Sequence, residues 1–244
     1  MRTDGALLLV AALAATGAQA ADEMQSMGRY AIDRTEVTVA AFRAFVDATG
    51  HVTRAEREGG GAVYEAGWTR KPGWTWRTPF GQPALDDEPA VHVTFEDAQR
   101  YCRWAGKRLP SDAEWLEAAY TERRTAPPAP YMTGKTYPYP TGDAPAGANC
   151  LDDCGRTPAL DRRALLKRGI GPARAGSTTP GVNGLYDMGA NVWEWVDGAV
   201  GAERLTRGGS WWYGAAQMHR EHRASKPPDT AVVYIGFRCA RSLP

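Results

Sequence analysis

Between positions 211 and 222 the chain collects an unusual set of reactive side chains: Trp211, Trp212, Tyr213, Met218, His219 and His222, with Arg220 among them. Imidazole exchanges a proton near neutral pH without special help. A phenol beside it adds a second proton-transfer group. Tyr213, His219 and His222 are therefore the candidate catalytic residues, expected at the mouth of a pocket. Trp211 and Trp212 could hold a ring by stacking, with the Arg220 guanidinium as a charged partner. Two histidines three residues apart do not define a copper or iron site without a third ligand, so the redox metal stays unidentified. His92 is a distant recruit at best, because it stands just before a helix cap.

The four cysteines are the second source of chemistry. Residues 1–20 read as a secretory signal: Arg2 is basic, Ala6 to Ala15 is apolar, and Ala18-Gln19-Ala20 is a small-x-small cleavage site. The apolar run is too short to cross a bilayer, which predicts a periplasmic or secreted protein after cleavage. Cys102, Cys150, Cys154 and Cys239 then face an oxidising compartment, where an even number implies disulfides. Three pairings are open on arithmetic alone. Cys150 and Cys154 lie in Asn149-Cys150-Leu151-Asp152-Asp153-Cys154, where a small structural loop is the simple reading. A redox pair or a metal site is the sharper alternative, against which stand the spacing and the want of a nearby histidine.

These residues need a frame to position them. Thr38 can cap a helix that carries Phe42, Phe45 and Val46 on one face and stops at Gly50. Thr94 opens a second helix through Cys102 and Trp104. Ser111 and Glu114 make a capping-box pattern for a third. Leu160, Ala164 and Leu165 predict a short helix over 159–167. Residues 59–88 read as an aromatic loop that packs down on a surface, and 121–139 as an exposed loop. Strands are expected over 28–37, 204–207 and 232–235. With 29 basic against 28 acidic residues, net charge +1, nothing concentrates positive charge for nucleic acid. Nine tryptophans and 27 glycines suit one loop-rich α+β domain over residues 21–244.

The order of several longer motifs resembles the sulfatase-modifying-factor family, which includes the formylglycine-generating enzymes. They are Asp33-Arg34-Thr35-Glu36-Val37-Thr38, Thr49-Gly50-His51, Trp76-Arg77-Thr78-Pro79, the run from Tyr101 to Trp115, Gly184 to Trp195, Arg207-Gly208-Gly209-Ser210-Trp211 and Ile235-Gly236-Phe237-Arg238-Cys239. The resemblance implies a C-type-lectin-related fold with short twisted sheets and much irregular backbone. It also implies a Cys102–Cys239 disulfide, which leaves Cys150 to Cys154. Structural calcium is implied at the Asp187 carboxylate, the Ala190 and Val192 carbonyls and Glu194, a set of hard oxygens suited to that ion. A possible second site would start at Asn149 and the Cys150 carbonyl. Arg220 and Arg223 resemble structural arginines of the family.

The family's cysteine-oxidising members use two thiols after Gly-Gly-Ser to bind copper(I). The matching positions here are Tyr213 and about Met218, and residues 211–223 contain no cysteine. A phenol and a thioether are neither two thiolates nor a redox pair. The resemblance therefore implies an exported non-canonical oxidase or maturation factor acting on a peptide, a protein or a peptide-derived natural product. The alternative is a calcium-stabilised, lectin-like binding or accessory module without catalysis.

Overall fold

The computed structural model describes residues 24–151, 153–155 and 157–244; the expected signal segment lies outside them. Four helices form where the capping signals stand. In α1 (Val39–Thr49) the Thr38 hydroxyl accepts the Ala41 amide, Phe42, Phe45 and Val46 are buried, and Gly50 ends the helix at φ 66°. A short α2 (Arg54–Arg57) follows from a Thr53/Glu56 capping box that the sequence carried unread. Thr94 and Asp97 box the start of α3 (Phe95–Trp104), and Ser111 and Glu114 that of α4 (Asp112–Tyr120).

The strands are short, as the glycine-rich composition anticipates. In chain order they are β1 (Met24–Ser26), β2 (Tyr30–Asp33), β3 (Ala62–Tyr64), β4 (Trp68–Arg70), β5 (Trp193–Val200), β6 (Glu203–Arg207), β7 (Ala224–Lys226), β8 (Ile235–Gly236) and β9 (Ala240–Ser242). They make a β1-β2-β9 sheet, a β3-β4 hairpin and a β7-β6-β5-β8 sheet. In the last, β8 runs parallel to β5 and the other pairs are antiparallel. Trp76, Trp115, Trp195, Trp211 and Trp212 are all buried. Truncating one such ring to alanine would cost about 3–5 kcal/mol. Both disulfides form, Cys102–Cys239 and Cys150–Cys154. The first ties α3 to the chain entering β9.

Three local expectations fail. Residues 159–167 form turns rather than a helix, because Leu160 and Arg162 donate their amides to Pro172 and Ile170 on a returning segment. Leu165 and Leu166 still pack against the core. The strand over 232–235 shrinks to Ile235 at its end, while Val232 makes an isolated bridge to Ala62. The 121–139 segment is not simply exposed: Glu122 and Tyr137 are buried within it.

Candidate functional site

A polar cluster sits at the junction of β2, β5 and the chain before β9. Arg238, fully buried, donates from Nε to both Glu194 carboxylate oxygens (3.0 and 2.8 Å) and from Nη2 to Oε1 (2.7 Å). The indole N–H of Trp115 donates to Glu194 Oε2 at 2.8 Å. The remaining Arg238 donors reach the carbonyls of Asp33 and Tyr186. Asp187 Oδ2 accepts the Gly176 amide at 2.7 Å, and Oδ1 accepts the Thr178 hydroxyl at 2.5 Å. Glu36 takes the Asn191 side-chain amide and the Val192 amide. Burial, with the neighbouring carboxylates, holds the Glu36 carboxyl well above its ordinary range. Burial also raises Asp187.

This geometry does not fit the expected calcium set of Asp187, Ala190, Val192 and Glu194. Every carboxylate oxygen of that set already receives a protein donor, and the Arg238 guanidinium lies along the Glu194 edge where a dication would bind. The physical reason is substitution of one cation by another: a fixed guanidinium neutralises the carboxylate and satisfies its lone pairs. The second expected site fares likewise. The Asn149 side chain donates to the Gly171 carbonyl and Asn191 Oδ1, and accepts from Thr157. Its backbone carbonyl accepts the Asn191 amide. Asn149 thus clamps the 190–191 turn.

The 211–222 segment is only partly what its residue types suggest. Trp211 and Trp212 are each 1% exposed, so they cannot stack on a ligand. They pack edge to face on each other, and Trp212 stacks on Tyr234. The pattern misled because two adjacent indoles after a glycine pair serve a core as readily as a pocket. Tyr213 and His222 meet the same indole, that of Trp193, at ring distances of 6.0 and 5.7 Å. His219 instead packs edge-on against Tyr139 at 5.4 Å. Arg220 is exposed, and among the described residues its guanidinium pairs only with Glu221, at 3.6 Å. The candidate catalytic trio therefore does not converge. Arg223 is also exposed, and among the described residues the buried arginines are Arg207 and Arg238.

His222 remains chemically notable. Its Nε2 is buried and has no hydrogen-bond partner among the described residues. Burial first, then the charges of Arg207 and Lys226, lower its pKa and so favour the neutral ring.

A wide concavity lies elsewhere. A groove of about 1120 Å³ runs between the α1–α2 connection, α3 and the Pro228–Asp229 turn. On its wall His51 Nε2 and Asp97 Oδ1 are 2.7 Å apart. The other Asp97 oxygen caps α3 through the Thr94 amide and hydroxyl. Arg57, Arg103 and Arg204 line the same groove and make no ion pair among the described residues. Arg204 lies over the Phe95 ring at 4.7 Å. Trp104, 44% exposed, stands at the edge. A smaller hollow of about 230 Å³ adjoins it through Arg54, Glu58 and Asp229, and is lined by Trp68 and Arg70. No periodic pattern of residues marks this groove. Its walls come from residues far apart in the chain, and His51 stands in the sequence only as the end of the Thr49-Gly50-His51 motif.

The arrangement of buried Trp-Glu-Trp on β5, the Gly-Gly-Ser turn and the Arg238 anchor defines a compact α+β scaffold of one class. The chain belongs to the sulfatase-modifying factor enzyme 1-like domain family, whose model matches residues 4–243. It is 34% identical to a formylglycine-generating enzyme of Streptomyces coelicolor, over 86% of this chain and 77% of the relative. It is 33% identical to an inactive C-alpha-formylglycine-generating enzyme 2 of Mus musculus, over 87% and 75%. A hercynine oxygenase of Mycolicibacterium thermoresistibile is 31% identical over 86% of this chain, which spans 50% of that relative. PvdO of Pseudomonas aeruginosa shares the fold, with a TM-score of 0.60 and 23% identity over 88% of this chain and 80% of PvdO. Among the described residues no helix is long and apolar enough to cross a membrane.

Proposed function

We propose that this chain is an exported maturation factor that binds an acidic peptide or peptide-derived substrate along the arginine-lined groove, and that formylglycine formation is not its reaction. The groove carries the reading. Arg57, Arg103 and Arg204 line it and make no ion pair among the described residues, although Arg57 also acts on the nearby Glu96 carboxylate, and guanidinium groups bind carboxylates in forked, charge-assisted pairs. The exposed rings of Trp104 and Trp68 offer apolar contact at the groove and in the adjoining hollow. Similarity does not choose the chemistry, since a formylglycine generator and an inactive paralogue match this chain about equally well. Tyr213 and Met218 stand where two thiols would be needed for that reaction.

The experiment is a fluorescence-anisotropy titration with a labelled, acidic, tyrosine-containing hexapeptide and its neutral amide counterpart. The acidic peptide is expected to bind at least tenfold more tightly. Arg103→Gln and Arg204→Gln should each weaken it about fivefold without lowering Tm. Equal binding of both peptides, or variants that bind like the parent, would sink the reading.

A second reading, a non-canonical oxidase, draws on one observation: the His222 imidazole, whose buried Nε2 has no hydrogen-bond partner among the described residues, packs with Tyr213 against the Trp193 indole. A neutral imidazole is the form that accepts a proton from a substrate. The hercynine oxygenase relative is consistent with oxidative chemistry on this scaffold. His222→Phe would then abolish turnover while leaving peptide binding in the groove intact.

A further inference from the structure

We propose that an extended acidic peptide adds as a third strand to the outer edge of β4, antiparallel to it, with a carboxylate residue opposite Arg70 and an aromatic residue opposite Trp68. This rests on the reading of the arginine-lined groove and fixes the course of the ligand's backbone and the spacing of its side chains.

The β3-β4 hairpin leaves one edge unused. Its strands pair Ala62 with Arg70, Val63 with Thr69 and Tyr64 with Trp68. On either side of these pairs, the amides of Lys71 and Glu65 donate to the carbonyls of Gly61 and Gly67, at 2.9 and 3.0 Å. Bonded and unbonded pairs alternate along an antiparallel ladder. Val63 and Thr69 lie two residues from each of those bonds and so exchange theirs with one another. The N–H and C=O groups of Trp68 and Arg70 therefore point away from β3. No hydrogen bond among the described residues reaches these four groups. All three residues of β4 are exposed. The other edge of the hairpin is taken, because the Ala62 amide donates to the Ala231 carbonyl and the Ala62 carbonyl accepts the Val233 amide.

Edge strands are ordinarily blunted by proline, a bulge or a covering segment. Here the edge is instead held in place. Arg70 Nη1 donates to the Gly60 carbonyl at 2.9 Å and Nη2 to Glu58 Oε2 at 2.7 Å, which ties the strand to the residue that ends α2. The indole of Trp68 packs edge to face on Tyr64 at 5.3 Å. A row of unpaired backbone groups on a fixed strand is a template for strand addition, in which main-chain bonds supply affinity and alternate side chains supply specificity.

Residues opposite each other in a ladder share a face. Trp68 and Arg70 both line the hollow of about 230 Å³, so the ligand residues across from them project over that same face. Arg70 supplies the charge complement. Its side chain is 54% exposed, and its Nε–H makes no hydrogen bond among the described residues. That N–H and the second Nη2 hydrogen form the fork that takes a carboxylate. An aromatic ligand residue beside Trp68 extends the Tyr64–Trp68 row across a third strand. Strand direction then orders the ligand: in antiparallel addition the residue facing Arg70 comes two positions before the one facing Trp68. The recognised segment is acidic-x-aromatic, with its two anchors about 7 Å apart along the strand. The hollow meets the groove through Arg54, Glu58 and Asp229, which lets one peptide use both.

The test leaves the protein unaltered, so folding does not enter. Labelled hexapeptides containing Glu-Val-Tyr are titrated against the full mature chain by fluorescence anisotropy. N-methylation at the glutamate or at the tyrosine, whose N–H groups face β4, should each weaken binding tenfold or more. N-methylation at the valine between them should change it less than threefold. Placing the glutamate next to the tyrosine should cost at least fivefold. In the complex, amide hydrogen exchange at Trp68 and Arg70 should slow at least tenfold, while that at Thr69, already bonded to Val63, stays as it was. A peptide that keeps its preference for acidic residues but responds alike to all three N-methylations overturns the added strand and leaves the groove reading standing. If the acidic peptide does not bind, both fall. Protection of the same two amides by self-association without peptide would give the edge to a second copy of this chain, and the proposal would be wrong.

Discussion

Replacing Arg238 with methionine tests the reading of the polar heart of the fold most directly. Arg238 is fully buried and its guanidinium satisfies both oxygens of Glu194, so the methionine variant leaves a buried carboxylate without its cation. Breaking a buried pair from one side costs about 3–5 kcal/mol. Two further carboxylates, Glu36 and Asp187, feel the same guanidinium, which lowers the pKa of each. A domain of this size loses about 2–4 °C of Tm per kcal/mol, so a fall of about 10 °C is expected. Urea unfolding at pH 7.5 measures the loss.

The pH dependence separates this account from a simple packing defect. Glu36 and Asp187 have folded pKa values raised above those of the unfolded chain. Such a group contributes stability that is fully present below its unfolded pKa, near 4, and lost as pH rises through the folded value. Without Arg238 these two values climb further. The Arg238→Met deficit should therefore be largest at pH 7–8 and shrink towards pH 4. A second substitution, Glu194→Leu, should recover most of the loss at neutral pH, since an apolar pair can replace a buried ionic one. A deficit under about 1 kcal/mol at pH 7.5, or one equal at both ends of the range, would refute the reasoning.

Cys239→Ala should destabilise the protein by about 2–5 kcal/mol, because the Cys102–Cys239 link spans 137 positions; Cys154→Ser, which opens a link of 4, should cost only about 2 kcal/mol. Nonreducing urea titrations check both, and equal losses would undo the loop-entropy argument. Calcium removal should leave Tm unchanged within about 1 °C, as the Asp187 and Glu194 oxygens are satisfied by protein donors; a calcium-dependent rise in differential scanning calorimetry contradicts this. His92 is buried and its pKa is pushed down to about 4 by burial. Stability present above pH 6.5 should accordingly fall by about 3 kcal/mol as pH drops through 4, a slope that His92→Gln should remove.

What the sequence discloses here is local and short-range. Thr38, Thr94 and Ser111 announce their helices because a capping hydroxyl acts within three residues of itself. The 159–167 helix failed because its periodicity was outweighed by backbone bonds to a segment that returns at 170–172, a contact that no window of sequence contains. The same limit governs the site. Trp211 and Trp212 carry the chemistry of a binding platform, yet burial alone decides whether an indole faces a ligand or the core. His51 and Asp97 lie 46 positions apart, and Arg57, Arg103 and Arg204 come from three different elements. Their convergence is a property of topology, to which residue type and spacing are blind.

The sulfur atoms show how chemistry can move within a retained frame. The resemblance implies thiols at the positions of Tyr213 and Met218, and by that measure the turn has lost its reactive pair. In space the sulfur of Cys154 touches that of Met218, and the loop bearing both thiols is bonded to the backbone of Tyr213 and Ala215. A pair of cysteines on a neighbouring loop thus occupies the surroundings of the turn while the turn itself supplies a thioether. The scaffold constrains where such a pair can sit more than which segment must carry it.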